Sequence, residues 1–230
     1  MEQLFGGFTL DIPPGCFPLS TDSMVLAHFV KLKKNASVLD LGSGCGALGL
    51  MLCAKDPDCR VTGIEFDPHA HAAALNNIQH NGLDRRMESI CADLRNLADQ
   101  VPPGHFSCCV SNPPYFSGGP ASTITPDARR EDRCTPAELF SAASHGLKYG
   151  GDFFLVHRPE RLADLCIQGA RYGLEAKRLC LLRHREGGPV VLILLQFRKG
   201  GKPGLIWEEN CLFDAAGQPT EYYRNIYHTK

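Results

Sequence analysis

Asn112, Pro113, Pro114 and Tyr115 end an apolar run, FSCCVS, and set a carboxamide, two rigid imide units and a phenol ring side by side. These residue types suit one chemical problem, which is making a planar amino group act as a nucleophile. An exocyclic NH2 on a nucleobase, or a carboxamide nitrogen, is weakly nucleophilic because its lone pair is delocalised. Two acceptors that hold its hydrogens turn the lone pair toward an electrophile. The Asn112 side-chain oxygen and the Pro113 carbonyl are the two candidates. Both bonds strengthen as the nitrogen becomes positive, so the stabilisation is concentrated in the transition state. Loss of one such group costs roughly two to three decades in rate. Pro113 and Pro114 fix φ and stiffen the turn. Tyr115 offers a face for stacking a base, worth about 1–3 kcal/mol. No strong general base is required, because the alkylated nitrogen is acidic until it loses its proton. Taken alone, the tetrapeptide also fits an ordinary Pro-Pro turn closing a strand.

An electrophile has to be held beside that turn. VLDLGSGCGALGL carries Gly42, Gly44 and Gly46 at a strand-to-helix junction, where glycine permits positive φ and close approach of the backbone to a ligand. Glu65 ends the next strand, where a carboxylate can accept both hydroxyls of a ribose. Two ligands fit. Gly42, Gly44 and Ala47 satisfy the dinucleotide pattern G-x-G-x-x-G/A. The additional Gly46 and the preceding Asp40 favour S-adenosylmethionine, which leaves as S-adenosylhomocysteine. A carboxylate at 40 suits an ammonium-bearing ligand and repels a pyrophosphate. Asp93, in CADL, is placed either to accept from an adenine amino group or to cap a helix.

The frame that positions these groups is an alternation of short apolar strands and helical segments. It predicts a mostly parallel sheet covered on both faces. SVLDLG, RVTGIEF, MESICADL, FSCCVSN and DFFLVH read as strands. DPHAHAAALNNIQHNGL reads as a helix capped by Asp67 with Pro68 in its first turn, and TPAELFSAASHGLKYGG as one opened by Thr135 and Glu138. LEAKRLCLLRHREGGPVVLILLQFRKG predicts an antiparallel hairpin at a sheet edge. The tail reads as a small peripheral element. Every candidate residue falls at the carboxyl end of a predicted parallel strand, where open α/β sheets bind ligands.

Composition narrows the classes. The chain has 230 residues, 43% hydrophobic, with formal net charge −1, so no overall basic charge advertises a polyanion. The 11 cysteines form no C-x-x-C pair and the nine histidines show no zinc-ligand spacing, so buried free thiols in a reducing compartment and no metal are expected. The N-terminus lacks the apolar core of a signal peptide, and the longest apolar run, VVLILL, is too short for a bilayer. A cytoplasmic protein without membrane contact is the expectation. Arg129, Arg130 and Arg133 follow the catalytic turn and are candidates for RNA phosphate contacts. Lys177, Arg178, Arg183, His184, Arg185, Arg198, Lys199 and Lys202 flank the hairpin, as a second phosphate surface or an ordinary solvated one.

With VLDLGSGCGALGL, GIEFD, CADL and SNPPYF in that order, the chain resembles the class I S-adenosylmethionine-dependent methyltransferases of the amino-group type. More narrowly it is similar to the bacterial family that methylates N6 of an adenine beside the anticodon of a valine tRNA, through FPLSTDSMVLAHF and NPPYFSGG…DARREDRC. The resemblance spans roughly residues 17–200. It implies an α/β, Rossmann-like fold with a mostly parallel seven-stranded sheet, an antiparallel edge hairpin and helices on both faces. It implies a segment 1–36 lining the cleft, a methyltransferase domain at 37–200 and an extension at 201–230. Thr21, Asp22, Asp40, Gly42, Gly44, Gly46, Glu65, Phe66, Asp93, Leu94 and Asn112 are implied to contact the cofactor, and Tyr115 and Phe116 the acceptor base. Cys45 departs from the pattern, standing where many relatives carry threonine. The same tetrapeptide serves protein glutamine, but only residues 1–36 precede the first strand, too few for the helical domain such enzymes usually carry. A catalytically silent binding protein and a nicotinamide oxidoreductase are the readings from other classes.

Overall fold

The computed structural model describes residues 1–113 and 134–228. A small antiparallel hairpin, β1 (Glu2–Gln3) with β2 (Thr9–Leu10), leads into α1 (Thr21–Phe29). There follow β3 (Ser37–Leu41), α2 (Ala47–Lys55), β4 (Arg60–Glu65), α3 (Pro68–His80), β5 (Met87–Cys91) and β6 (Phe106–Ser111). The chain continues through α4 (Pro136–Gly146), β7 (Leu147–His157), α5 (Leu162–Arg171), β8 (Leu174–Arg185), β9 (Val190–Lys199), β10 (Ile206–Phe213) and α6 (Glu221–Tyr227).

The main sheet has eight strands in the order β10-β8-β9-β7-β6-β3-β4-β5. The chain reverses direction of travel across the sheet beside β3, and β3, β4, β5, β6 and β7 all run parallel. β9 is antiparallel to both β7 and β8. One strand more is present than the seven expected, and the hairpin is not the edge. β10 lies outside β8 and parallel to it, from Ile206 opposite Arg178 to Phe213 opposite Arg185. Its sequence, IWEENCLF, hid it, because Ile206 and Trp207 are exposed and no apolar alternation results. A second boundary also moves. α4 ends at Gly146, and Leu147 to Gly151 begin β7 around the left-handed Gly150, with a bulge against Phe106 and Cys108.

Alternation along the strands sorts the core into two layers. Val38, Cys108, Val110, Phe154 and Val156 pack toward α1 and α2. Leu39, Leu41, Cys109, Phe153 and Leu155 pack toward α4 and α5. In the second layer Phe140 meets Phe153 and Phe197 edge-on, with ring centroids 5.3 and 5.1 Å apart. The helices carry the expected caps. Asp67 accepts from His69 N–H, and Thr135 and Glu138 satisfy each other's backbone donors in a capping box. All 11 cysteines are free thiols. No described helix is long and apolar enough to cross a membrane, and no described group of His, Cys, Asp and Glu could hold a metal ion.

Candidate active site and cofactor cleft

A cavity of about 360 Å³ opens at the carboxyl ends of β3, β4 and β6, beside the point where the strand order reverses. It gathers Asp22, Asp40, Gly42, Gly44, Glu65, Phe66, Asp93, Leu94, Asn112 and Pro113. Residues of the N-terminal segment, among them Leu10, Ile12, Cys16 and Leu19, close one wall. Gly46 stands one step back as the left-handed N-cap of α2, packed against Met87. Thr21 is not in the cavity. Its hydroxyl accepts from Tyr227 at 3.1 Å, and it lines a separate groove formed with Gln3, Phe5 and His228. Pro114, Tyr115, Phe116, Arg129, Arg130 and Arg133 lie outside the described residues.

The glycine loop is shaped by backbone bonds. Gly42 and Ser43 N–H both donate to the Ile64 carbonyl, at 2.9 and 3.1 Å, which ties the loop to the end of β4. Gly42 and Gly44 have φ of 75° and 56°, and a Cβ at either would project into open space. At those two positions glycine serves the conformation and leaves the cradle clear. Gly63 serves the loop differently, since a Cβ there would stand 2.7 Å from Ser43 Oγ. Glu65 completes the loop by accepting from Gly44 N–H and Asp67 N–H, each at 2.8 Å, one on each carboxylate oxygen.

The electrostatics of the cavity are one-sided. Asp22, Asp40, Glu65, Asp67 and Asp93 line it, with no Lys, Arg or His among the described lining residues. Asp40 is 1% exposed, and its Oδ2 has no hydrogen-bond partner. Burial, then the Glu65 charge, pushes its carboxyl up to about 7. Burial also raises Asp22, against the opposing charge of Arg158. Ser43 Oγ is a second buried polar atom without a partner. A pyrophosphate would find no described cation here to offset these carboxylates, whereas a ligand bearing a sulfonium and an ammonium supplies the missing charge and donors. The cradle, the ribose-competent Glu65 and the open Asp40 Oδ2 therefore fit S-adenosylmethionine. Asp93 is more committed than the sequence suggested. Its carboxylate caps the turn at Arg95 and is held below the usual carboxylate range, first by the Arg95 guanidinium hydrogen bonds at 2.8 and 3.0 Å.

Asn112 leaves β6 with its amide already oriented. Nδ2 lies 2.9 Å from Ser23 Oγ, which turns the side-chain oxygen to the other side as an acceptor. Ser23 sits in the first turn of α1, where its own N–H bonds the N-cap Ser20 Oγ. Ser111, one residue earlier, donates to the Leu41 carbonyl at 2.8 Å and pins the ends of β6 and β3 together. Ser23 was not among the residues singled out from the sequence. The signal available was Ser20 with Asp22 and Ser23 ahead of an apolar run, which marks a helix start but not what it faces.

The basic residues around the hairpin prove largely structural. Arg178 pairs with Glu208 at 3.3 Å and Arg183 with Glu209 at 3.2 Å, so β10 neutralises β8. Arg198 pairs with Asp152, Lys199 caps the Ser144 and Leu147 carbonyls, and Lys177 bonds the Lys202 carbonyl.

Comparison with known proteins agrees with this geometry. Residues 18–167 match the family model described as methyltransferase small domain. A relative from Photobacterium profundum, named tRNA1(Val) (adenine(37)-N6)-methyltransferase, is 30% identical, covering 79% of this chain and 78% of its own. Its namesake from Porphyromonas gingivalis is 31% identical over 79% and 76%. Among solved structures, a predicted O-methyltransferase from Agrobacterium tumefaciens superposes with a TM-score of 0.75 at 20% identity, covering 90% of this chain and 96% of that one. Geranyl diphosphate C-methyltransferase from Streptomyces coelicolor, a complex with S-adenosyl-L-homocysteine, gives 0.58 at 13% identity, covering 77% and 76%. At these identities the structural neighbours speak for the fold.

Proposed function

The chain belongs to the methyltransferase small domain family, and from that premise we propose that it methylates N6 of an adenine in tRNA, with adenine 37 of tRNA1(Val) as the acceptor. The observation that carries this is the pairing of a cavity whose charged described residues are all carboxylates with an amide whose nitrogen is already anchored. S-adenosylmethionine, when bound, supplies an electrophilic methyl group on a cationic sulfur. The protein's part is to bind, to orient and to accept hydrogen bonds. Asp40 and Glu65 hold the donor in the glycine cradle. Asn112 Oδ1 and the Pro113 carbonyl accept hydrogen bonds from the two amino N–H groups, Ser23 prevents the amide from turning over, and the one proton shed by the alkylated nitrogen passes to solvent. Tyr115 offers a stacking face and Phe116 a further contact for the base, and Arg129, Arg130 and Arg133, which follow the turn in sequence, are assigned to phosphates. The acceptor must be an unpaired base that can leave its stack, as in an anticodon loop.

In this assignment residues 1–36 wall the cleft, 37–200 form the catalytic domain and 201–230 the extension. Residues 206–213 nonetheless join the central sheet, so the last boundary divides the chain and not the sheet. The test is transfer of labelled methyl groups into total tRNA, total protein and DNA in parallel, with nucleoside analysis. Label recovered as N6-methyladenosine in valine tRNA is the expected result. Label in protein glutamine instead would replace the proposed acceptor, and no transfer into any pool would leave a cofactor-binding protein without this chemistry.

A further inference from the structure

The wall that residues 9–19 build over the cleft is held in an unusual way. Asn81 accepts from Thr9 N–H at 2.8 Å and donates to the Thr9 carbonyl at 2.8 Å. Asn77, one helical turn earlier on α3, accepts from Asp11 N–H at 2.8 Å and donates to the Asp11 carbonyl at 2.9 Å. Four residues of helix rise about 6 Å, and two residues of extended chain span about 6.6 Å. Two asparagines at i and i+4 thus present amides at nearly the spacing of alternate strand residues. α3 acts as the missing neighbour strand of β2, whose other edge pairs with β1.

Asn81 Nδ2 donates in addition to the Asn77 carbonyl at 2.7 Å, within the helix, and only Asn77 of the two reaches the glycine loop. Its Nδ2 also donates to the Cys45 carbonyl, at 3.0 Å, in the middle of the glycine loop. The side chain is 3% exposed, and both its amide protons and its oxygen are used. One buried amide therefore joins the two opposing walls of the cavity, the N-terminal wall through Asp11 and the cradle through Cys45.

We propose that Asn77 is a positioning residue that fixes the width of the cofactor cleft, so that donor affinity and product retention depend on it although it does not line the cavity. The proposal rests on the S-adenosylmethionine site assigned above. The matched comparison is Asn77→Ala against Asn81→Ala in the full chain, read by calorimetry with S-adenosylhomocysteine and by thermal unfolding. Both truncations release the Thr9–Asp11 segment from one amide, so both lower Tm. Only Asn77→Ala unties the glycine loop. It should weaken S-adenosylhomocysteine by about tenfold or more, whereas Asn81→Ala should change it by less than about threefold. Valine tRNA affinity should be parental in both. Equal weakening by the two variants, or none in Asn77→Ala, overturns the proposal. Failure of the parent to bind S-adenosylhomocysteine would instead overturn the cofactor assignment. If Asn77→Ala does not fold, Asn77→Asp keeps an acceptor for Asp11 N–H but has no amide proton for the Cys45 carbonyl. That variant should show the same weakening, and parental affinity in it refutes the role.

Discussion

Two carboxylates are buried in the same sheet, and they are treated in opposite ways. Asp152, midway along β7, is 4% exposed and fully engaged: Arg198 Nε at 2.7 Å, Gln196 Nε2 at 3.1 Å and Lys33 Nζ at 3.2 Å. Asp40, near the carboxyl end of β3, is just as buried and has no cation beside it. Desolvating a carboxylate costs several kcal/mol unless partners replace the water. At Asp152 the protein supplies those partners itself. At Asp40 it supplies no cation and leaves Oδ2 without a partner, and the group responds by holding its proton up to about pH 7. Two positions of strand register thus separate a carboxylate that stabilises the fold from one left open toward the cavity. The same contrast runs through the cations, which are paired around β8 and absent from the described lining of the cleft.

The largest effect is expected at Asn112. Asn112→Ala should lower single-turnover methyl transfer by roughly 10²–10³-fold, with S-adenosylhomocysteine affinity within a few-fold of the parent. Parental turnover in that variant would remove the amide from the chemistry.

Asp152→Ala should act on stability alone. It strips hydrogen bonds from charged partners, worth roughly 1.5–3 kcal/mol, toward the lower figure because Arg198 and Lys33 remain partly solvated. Denaturant titration should show the loss, while cofactor affinity stays unchanged below the transition.

Asp40→Asn should do the reverse. Asp40 has its folded pKa raised from 3.8 to about 7, so the folded free protein binds this proton more tightly than the unfolded chain does. Its contribution to stability is therefore largest below about pH 4 and declines as pH rises toward about 7. A cationic ligand favours the ionised form, so S-adenosylmethionine should bind more tightly as pH rises to about 7, level off above it, and release protons on binding near pH 6. Of its neighbours, Glu65 stays as the second acceptor, and the Cys108 and Cys109 thiols on β6 are pushed up by burial and do not compete. Asp40→Asn should flatten that profile, with affinity at pH 8 reduced about tenfold, the size of one charge-assisted hydrogen bond. A parental pH profile in the variant would contradict the assignment.

The smallest effect belongs to the paired cations. Arg183→Ala should change stability by less than about 1 kcal/mol and leave the salt dependence of tRNA binding unaltered. A shallower salt slope would move Arg183 into the RNA footprint.

Much of this was legible from residues. Gly42, Gly44, Glu65 and Asn112 announced themselves because each type is demanded by a local requirement: positive φ, a strand-end carboxylate, a primary amide before prolines. The caps at Asp67 and Thr135 were readable for the same reason, since a cap is satisfied within three residues of itself. What could not be read is what depends on distance along the chain. Ser23 reaches Asn112 across 89 positions, Asn77 reaches Asp11 across 66, and neither pairing leaves a local pattern. Thr21 was misplaced for a related reason, since its neighbour Ser23 turns to the cleft while its own hydroxyl turns to Tyr227. Trp207 and Ile206 concealed an edge strand by facing solvent. Asp93 was half readable, because its cap was local and its clasp by Arg95 equally so, yet both compete with the ligand role the motif suggested.

Running parallel to β8, β10 returns the polypeptide to the end of the sheet where the cavity opens and delivers α6 against α1. The helix that carries Ser23 toward Asn112 thus leans on a residue 206 positions further along the chain. A nick or deletion anywhere between β8 and α6 would therefore be felt at the amide, although none of those residues lines the cavity.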